Sequence, residues 1–259
     1  MSVKQSVCIP MLNQGGLPLD LFVRRVAEIG YAAIEIWQRG DLLEPLSALC
    51  RRYNLQIATM LGHESLPVGL NDPSQHDRIE AELHASIDIA VQYHIPGLIC
   101  FSGNRRLGQS DEEGIAVTVQ GLKRVAPFAE KKGVNLNLEL LNSLVDHPDY
   151  QCDHSAWGLA VCQQVNSPNV KLLFDIYHMQ IMEGNLINTI TKNIGWIGHF
   201  HTAGVPGRSD IDETQEINYG AVCRAIAATN YDLYLAHEYK PRGEVFQSLQ
   251  KAFEICNGL

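Results

Sequence analysis

Short apolar runs alternate with helical patterns along the whole chain. Eight runs have the length and composition of buried strands, and they lie at 6–10, 31–37, 55–61, 98–101, 134–140, 170–175, 196–201 and 232–237. Between them, apolar residues recur at helical spacing, as at Ile79, Leu83 and Ile87. Eight strands alternating with eight helices predict an α/β fold, a (β/α)8 TIM barrel. A doubly wound open sheet is the alternative, but no glycine-rich phosphate fingerprint follows the first strand.

The predicted helices follow the same rhythm from end to end. They cover 18–29, 41–53, 74–93, a stripe that begins at 110, and then 153–165, 184–194, 217–228 and 243–256. Ser110 and Glu113 have the spacing of a capping box, and the stripe after them continues despite Pro127. No shift in composition or low-complexity linker divides the 259 residues, so we predict a single domain, 1–259.

Four consecutive predicted strands end in an acid or a histidine. Buried ionisable groups are costly unless something binds them, which makes these ends candidates for metal ligands. The four candidates are Glu139, Asp175, His201 and Glu238. Side chains alternate in direction along a strand, and that alternation allows all four to face the barrel interior near the C-terminal ends, where barrel enzymes place their chemistry.

Three carboxylates and one imidazole form a hard, oxygen-rich donor set. Such a set suits one divalent ion, Mn²⁺ or Mg²⁺ with Co²⁺ possible, better than a structural zinc. The alternative for each acid alone is a helix cap or a hydrogen-bonded core group. Four acids or histidines at matching depth on successive strands favour the shared metal site.

The composition limits which binding partners and which cellular location we expect. Apolar residues make up 46% of the chain and charged residues 19%, as in ordinary globular proteins. The net charge of −9, with no lysine and arginine cluster, argues against nucleic acid as a partner. Seven scattered cysteines without a CxxC spacing argue against disulfides and zinc thiolates and favour a reducing cytoplasm. We expect no export signal and no membrane span, because no long apolar stretch occurs.

Several segments resemble the hydroxypyruvate isomerase family, within the xylose-isomerase-like barrel superfamily. The resemblance is dense from about Leu138 to Cys256 and weaker before it. It rests on Phe174-Asp-Ile-Tyr-His-Met-Gln-Ile-Met-Glu-Gly-Asn-Leu186, Ile197-Gly-His-Phe-His201, Pro206-Gly-Arg208, Glu216-Ile-Asn-Tyr219 and His237-Glu-Tyr-Lys-Pro241. The resemblance implies metal ligands at the four positions named above, although some relatives have Gln at 201. Glu139 is followed by Leu-Leu-Asn142, where relatives often have Pro.

The resemblance also implies an activity. Members interconvert hydroxypyruvate and tartronate semialdehyde, and the implied acid-base pair is Glu139 and Glu238, with the order of their roles open. Removing a proton beside a carbonyl builds negative charge on oxygen, which a chelating cation stabilises as an enediolate. The substrate is thus expected to be a small keto acid or sugar.

Other residues are expected to contact substrate. By resemblance His178 touches a substrate oxygen, and Arg208 could clamp a carboxylate in a bidentate pair. A capping histidine and an exposed loop arginine are the alternatives. Weaker candidates in the barrel-top loops are Lys240, Glu216, His63, Asn104 and Arg105. His199 and Glu35 are expected to be paired interior groups rather than catalytic ones.

Other functions compete with this prediction. A ketose 3-epimerase or a keto-inositol dehydratase would use the same fold and metal. An abasic-site endonuclease is disfavoured because the fourth strand lacks a following histidine and the chain is acidic. A non-catalytic metabolite-binding barrel would be favoured by loss of a ligand, and none is missing. A homo-oligomer is possible, since barrels of this kind commonly pair through their helices.

Overall fold

A closed ring of parallel strands forms the centre of the molecule. The computed structural model describes residues 2–38 and 40–258, so the two ends of the predicted domain lie outside the described residues. The strands are β1 (Lys4–Cys8), β2 (Ala33–Glu35), β3 (Gln56–Ile57), β4 (Thr59–Leu61), β5 (Gly97–Cys100), β6 (Asn135–Glu139), β7 (Val170–Asp175), β8 (Ile197–Thr202) and β9 (Tyr234–His237). Their order is β3-β2-β1-β9-β8-β7-β6-β5-β4, all parallel.

The third predicted strand is interrupted at Ala58, which is why nine strands fill eight positions. The first piece, β3, pairs with β2, and the second piece, β4, pairs with β5. The Ala58 N–H still donates to the Ile34 carbonyl at 2.8 Å, and the Leu61 N–H donates to the Trp37 carbonyl at 2.9 Å. The ring therefore closes through this strand, and the predicted TIM barrel is confirmed.

Helices alternate with the strands and surround the ring. They are α1 (Ile9–Leu12), α2 (Leu19–Ile29), α3 (Leu43–Tyr53), α4 (His76–Tyr93), α5 (Asp111–Lys132), α6 (Ser155–Val165), α7 (Ile176–Met182), α8 (Leu186–Asn193), α9 (Tyr219–Ala227) and α10 (Val245–Asn257). Short 3₁₀ turns occupy Pro73–Gln75 and Ile194–Trp196. The Ser110 capping box is present, and α5 runs through Pro127. No helix among the described residues is long and apolar enough to span a membrane.

Two short helices depart from the prediction. The first strand ends at Cys8, so Pro10 lies in the first turn of α1, where its missing N–H costs no hydrogen bond. The helix α7 begins directly after Asp175, whose Oδ1 accepts the His178 N–H at 3.0 Å. Both helices are too short to show a recognisable apolar period in sequence.

A bulge in β8 sets the direction of the interior side chains. Leu172 pairs with Ile197, but the next residue, Leu173, pairs with His199, so Gly198 is an extra residue in β8. A Cβ at Gly198 would overlap the Asn137 amide oxygen, which shows that Asn137 occupies the interior beside it. The bulge keeps His199 and the residue two positions on, His201, pointing into the barrel.

Candidate metal centre and active-site cavity

Four buried side chains meet at the C-terminal end of the barrel. One ligand atom from each of Glu139, Asp175, His201 and Glu238 lies within 4.8 Å of all the others. The His201 Nδ1 is 3.2 Å from Glu139 Oε1, 3.4 Å from Glu238 Oε2 and 3.8 Å from Asp175 Oδ2. The side chains come from the ends of β6, β7 and β8 and from the residue after β9, so neighbouring strands deliver them to one point.

Asp175 caps the N-terminus of α7 with one carboxylate oxygen and turns the other toward the cluster. Its Oδ1 accepts the His178 N–H at the start of α7, and its Oδ2 is the oxygen that faces His201. Capping an N-terminus was the alternative explanation for this acid. In the structure the same carboxylate caps the helix and lies in the cluster.

A fourth carboxylate, outside the cluster, lies behind His201. Glu35, fully buried on β2, places Oε1 3.0 Å from His201 Nε2 and Oε2 2.8 Å from His199 Nε2. Glu35 and His199 are thus paired interior groups, as expected. A carboxylate against one ring nitrogen favours the tautomer in which the other nitrogen carries a free lone pair, a common support for metal-binding histidines. The nitrogen on the other side of the ring is Nδ1, which faces the three acids.

In the absence of a cation, the buried carboxylates of the cluster repel one another, and their pKa values shift. Burial, helped by the neighbouring carboxylates, raises the pKa of Asp175 to about 7, and burial also raises the pKa of Glu139. For Glu238 burial acts in the same direction, but His201 and Arg208 outweigh it and lower the pKa. Burial opposes the charge on His201 too, yet Glu35 and Glu238 raise its pKa well above the ordinary value. The donor set and its excess negative charge fit a divalent cation.

Three donors contact the carboxylate of Glu238. The Trp37 Nε1 and the Cys8 Sγ donate to Oε1 at 3.1 and 3.9 Å, and the Arg208 Nη2 donates to Oε2. Arg208 also lies over the Tyr177 ring at 5.7 Å and reaches the site from a left-handed backbone position with φ 52°. The arginine predicted to clamp a substrate therefore points into the centre, where it neutralises part of the acidic cluster.

His178 lies next to the cluster, fully buried. Its Nδ1 is 2.6 Å from the Asn142 Nδ2, and its Nε2 is 3.6 Å from Asp175 Oδ2 with no hydrogen-bond partner. Since Nδ1 faces an amide donor, Nε2 is the nitrogen that carries the proton in the neutral ring. Burial lowers the pKa of His178 well below the ordinary value, so the ring is neutral.

The weaker candidates do not join the cluster. The exposed Lys240 contributes only its backbone N–H, which donates to the Arg208 carbonyl at 2.9 Å. His63 is buried and accepts the Phe101 N–H at 2.9 Å, and Glu216 accepts a bond from Gln180 at 3.1 Å. Their contact with substrate stays a prediction.

Asn104 and Arg105 have structural contacts on a neighbouring loop. The Asn104 carbonyl accepts a bond from Asn71 at 2.7 Å, and its backbone bridges to Tyr150. The Arg105 guanidinium pairs with Asp111 and, at 3.3 Å, with Asp153. These contacts tie the loop after β5 to the loop after β6. The Arg105 guanidinium is engaged there, whereas Asn104 takes part through its backbone, and contact of either side chain with substrate stays a prediction.

A cavity of about 230 Å³ opens beside the acids. Glu139, Arg208 and Glu238 line it together with His147, whose Nε2 is buried without a hydrogen-bond partner. The rest of the wall is Trp37, Leu61, Ser65, Leu66, Ile99, Phe101 and Leu141. Sequence reasoning missed His147 and this wall. Their position in the chain could have indicated part of the wall, since Trp37 and Phe101 follow closely after β2 and β5, at the mouth of the barrel.

The fold and the site together define a class: TIM barrels whose C-terminal mouth holds a buried centre of three carboxylates and one imidazole. Comparisons with known proteins agree with the fold. A model of the xylose isomerase-like TIM barrel family matches residues 23–256. A putative hydroxypyruvate isomerase of Mus musculus is 31% identical over 245 residues, which cover 90% of this chain and 87% of that protein.

Two further comparisons bear on the fold and the enzyme class. A 2-oxo-tetronate isomerase of Cupriavidus necator is 32% identical over 172 residues, covering 63% of this chain and 64% of that protein. The crystal structure of an AP endonuclease, family 2, from Brucella melitensis superposes with a TM-score of 0.84 at 22% identity, covering 96% of this chain and 97% of that one. That likeness shows the fold alone. The chain belongs to the xylose isomerase-like TIM barrel family, and its enzyme class is that of the isomerases.

Proposed function

We propose that this chain is a metal-dependent isomerase that interconverts hydroxypyruvate and tartronate semialdehyde. The observation that carries the proposal is the position of Glu139 and Glu238, which both line the cavity and lie 3.2 and 3.4 Å from His201 Nδ1. Two carboxylates beside one substrate cavity can remove and return a proton on adjacent carbons. The names of the relatives support the substrate class.

The reaction needs no external oxidant. A proton leaves the hydroxyl-bearing carbon, its electron pair moves toward the neighbouring carbonyl, and a proton returns to the former carbonyl carbon. The hydroxyl hydrogen is lost from one oxygen and gained by the other, so a carbonyl and a hydroxyl exchange places. Glu139 and Glu238 carry the carbon-bound proton, and the assignment of base and acid between them stays open.

The surrounding residues hold the substrate for that transfer. Arg208 pairs with Glu238 in the absence of substrate, and a substrate carboxylate would compete for the same guanidinium. The buried Nε2–H of His178 would donate to a substrate oxygen. Glu139, Asp175, His201 and Glu238 would hold Mn²⁺ or Mg²⁺, with Co²⁺ possible. When bound, the cation would stabilise negative charge that develops on the substrate oxygens.

Replacing each glutamate by glutamine tests the proposal. Glu139→Gln and Glu238→Gln should each lower turnover of hydroxypyruvate by about 10²–10⁴-fold, because a positioned acid-base group contributes that much. Proton NMR in D₂O measures both product formation and deuterium incorporation at carbon, and circular dichroism checks the fold. Glu112→Gln, in the exposed first turn of α5, is the matched control. Turnover retained in either active-site variant would contradict the proposal.

A four-carbon substrate is the second candidate, favoured by the Cupriavidus necator relative and by a cavity that extends well past the acids. A ketose 3-epimerase would use the same glutamates on a free sugar. Hydroxypyruvate, 2-oxo-tetronate and free ketoses assayed side by side separate the three. Turnover of the ketoses alone would replace the isomerase proposal with the epimerase.

A further inference from the structure

The cavity wall is divided into two chemically different sides. Glu139, Glu238 and Arg208 come from β6, from the residue after β9 and from the loop after β8, with His147 from the loop after β6. The opposite side comes mainly from β2, β4 and β5 and the residues that follow them. It presents six hydrocarbon or indole side chains: Trp37, Leu61, Leu66, Ile99, Phe101 and Leu141.

Two N–H groups on this second side already have acceptors, and its one hydroxyl already accepts a hydrogen bond. The Trp37 Nε1 donates to Glu238, so the indole turns its N–H toward the acids. The Phe101 N–H donates to His63, and the Ser65 hydroxyl accepts the Val68 N–H at 3.2 Å. Among the described residues that line this side, the Ser65 hydroxyl is the one side-chain group left with a proton to donate. The wall therefore offers little to replace the water that a substrate hydroxyl loses.

A fully hydroxylated substrate fits such a wall poorly. Each hydroxyl buried against hydrocarbon gives up its bonds to water without a substitute, whereas a methyl group gains by leaving water. We propose that the preferred substrate is a 3-hydroxy-2-oxo acid whose far end is deoxygenated and carries a methyl or short alkyl group. The hydroxyl and carbonyl oxygens face the acids, the carboxylate faces Arg208, and the alkyl end faces the hydrocarbon side. This inference rests on the proposed function and specifies its substrate class.

A matched pair of substrates tests the inference on the wild-type enzyme loaded with Mn²⁺. The pair is 2-oxo-tetronate and 3-hydroxy-2-oxobutanoate, which differ only in a terminal hydroxymethyl or methyl group. Because an unpaired buried hydroxyl weakens binding by about tenfold or more, kcat/KM should be at least about tenfold higher for the methyl compound. Hydroxypyruvate, which has no fourth carbon, serves as the reference.

The wall itself is tested by substitution. Leu66→Asn places an amide on the hydrocarbon side and should shrink the methyl-to-hydroxymethyl ratio, while Val68→Asn, exposed on the same loop, should leave the ratio unchanged. Melting temperatures show whether each variant folds. The comparison of the two substrates on the wild-type enzyme remains a test even if a variant does not fold. A ratio of one or less in the wild type would overturn this inference while the isomerase proposal survived. No turnover of any of the three acids would overturn both.

Discussion

The metal centre makes a prediction that stability measurements can test without a known substrate. The ligand oxygens of Asp175, Glu139 and Glu238 lie within 4.8 Å of one another. At an effective dielectric constant of 20, two unit charges at that distance repel by about 3.5 kcal/mol. Asp175 takes part in two such pairs, about 7 kcal/mol before the opposing attraction of His201 and Arg208. A divalent cation would turn this repulsion into attraction.

We therefore expect Mn²⁺ to raise the melting temperature of chelator-treated protein. A free ion concentration one hundred times the Kd adds about 2.7 kcal/mol, which corresponds to about 5–11 °C at about 2–4 °C per kcal/mol for a chain of this size. Asp175→Asn should abolish most of that shift. The metal-free variant should melt no lower than metal-free wild type, because Asn can also accept the His178 N–H that Asp175 accepts at 3.0 Å.

The assay is differential scanning fluorimetry with Mn²⁺, Mg²⁺ and Co²⁺ titrated separately. Asp232→Asn, at an exposed position between α9 and β9, is the matched control and should keep the full shift. No shift with any of the three ions would refute the metal centre. An equal shift in Asp175→Asn would show that the ion binds elsewhere.

Two more predictions concern residues around the centre. Glu35→Gln removes the charge behind His201 and should weaken Mn²⁺ binding by about 10–100-fold in calorimetry, the usual effect of losing a partner of a metal-binding histidine. Unchanged affinity would remove Glu35 from any role in the site. Burial lowers the pKa of His63 from its ordinary 6.5 to about 4. Below pH 6.5 the imidazole is therefore protonated in the unfolded chain but stays neutral in the folded chain. The free energy of unfolding falls as the pH drops, by about 2 kcal/mol between pH 8 and pH 5. His63→Gln, which can still accept the Phe101 N–H, should flatten this dependence in urea denaturation, and an unaltered slope would contradict the reasoning.

The strand ends were predictable from sequence because two independent constraints coincide there. Short apolar runs predicted the strands, and alternation within them placed Glu139 and Asn137 on the face opposite Leu138. The interruption at Ala58 and the extra residue at Gly198 were not predictable, since both depend on the register between neighbouring strands.

The remaining parts of the site depend on loops and on packing. Leu61, Leu66 and Ile99 read in sequence like ordinary core residues, and only the fold shows that they line a cavity. Loop residues such as Arg105 were expected to contact substrate because they lie in loops at the top of the barrel. The direction of a loop side chain is set by its own partners, and for Arg105 those are Asp111 and Asp153. Sequence pattern carries no information about such pairings.

The two sides of the mouth come from different stretches of the chain. The four proposed ligands all follow position 138, whereas most of the hydrocarbon surface precedes position 102. Changes in the earlier half can alter what the enzyme accepts and leave the ion and its acids in place. A chimera that joins the first half of a relative to the second half of this chain should therefore inherit the relative's substrate range together with this chain's preference among metals.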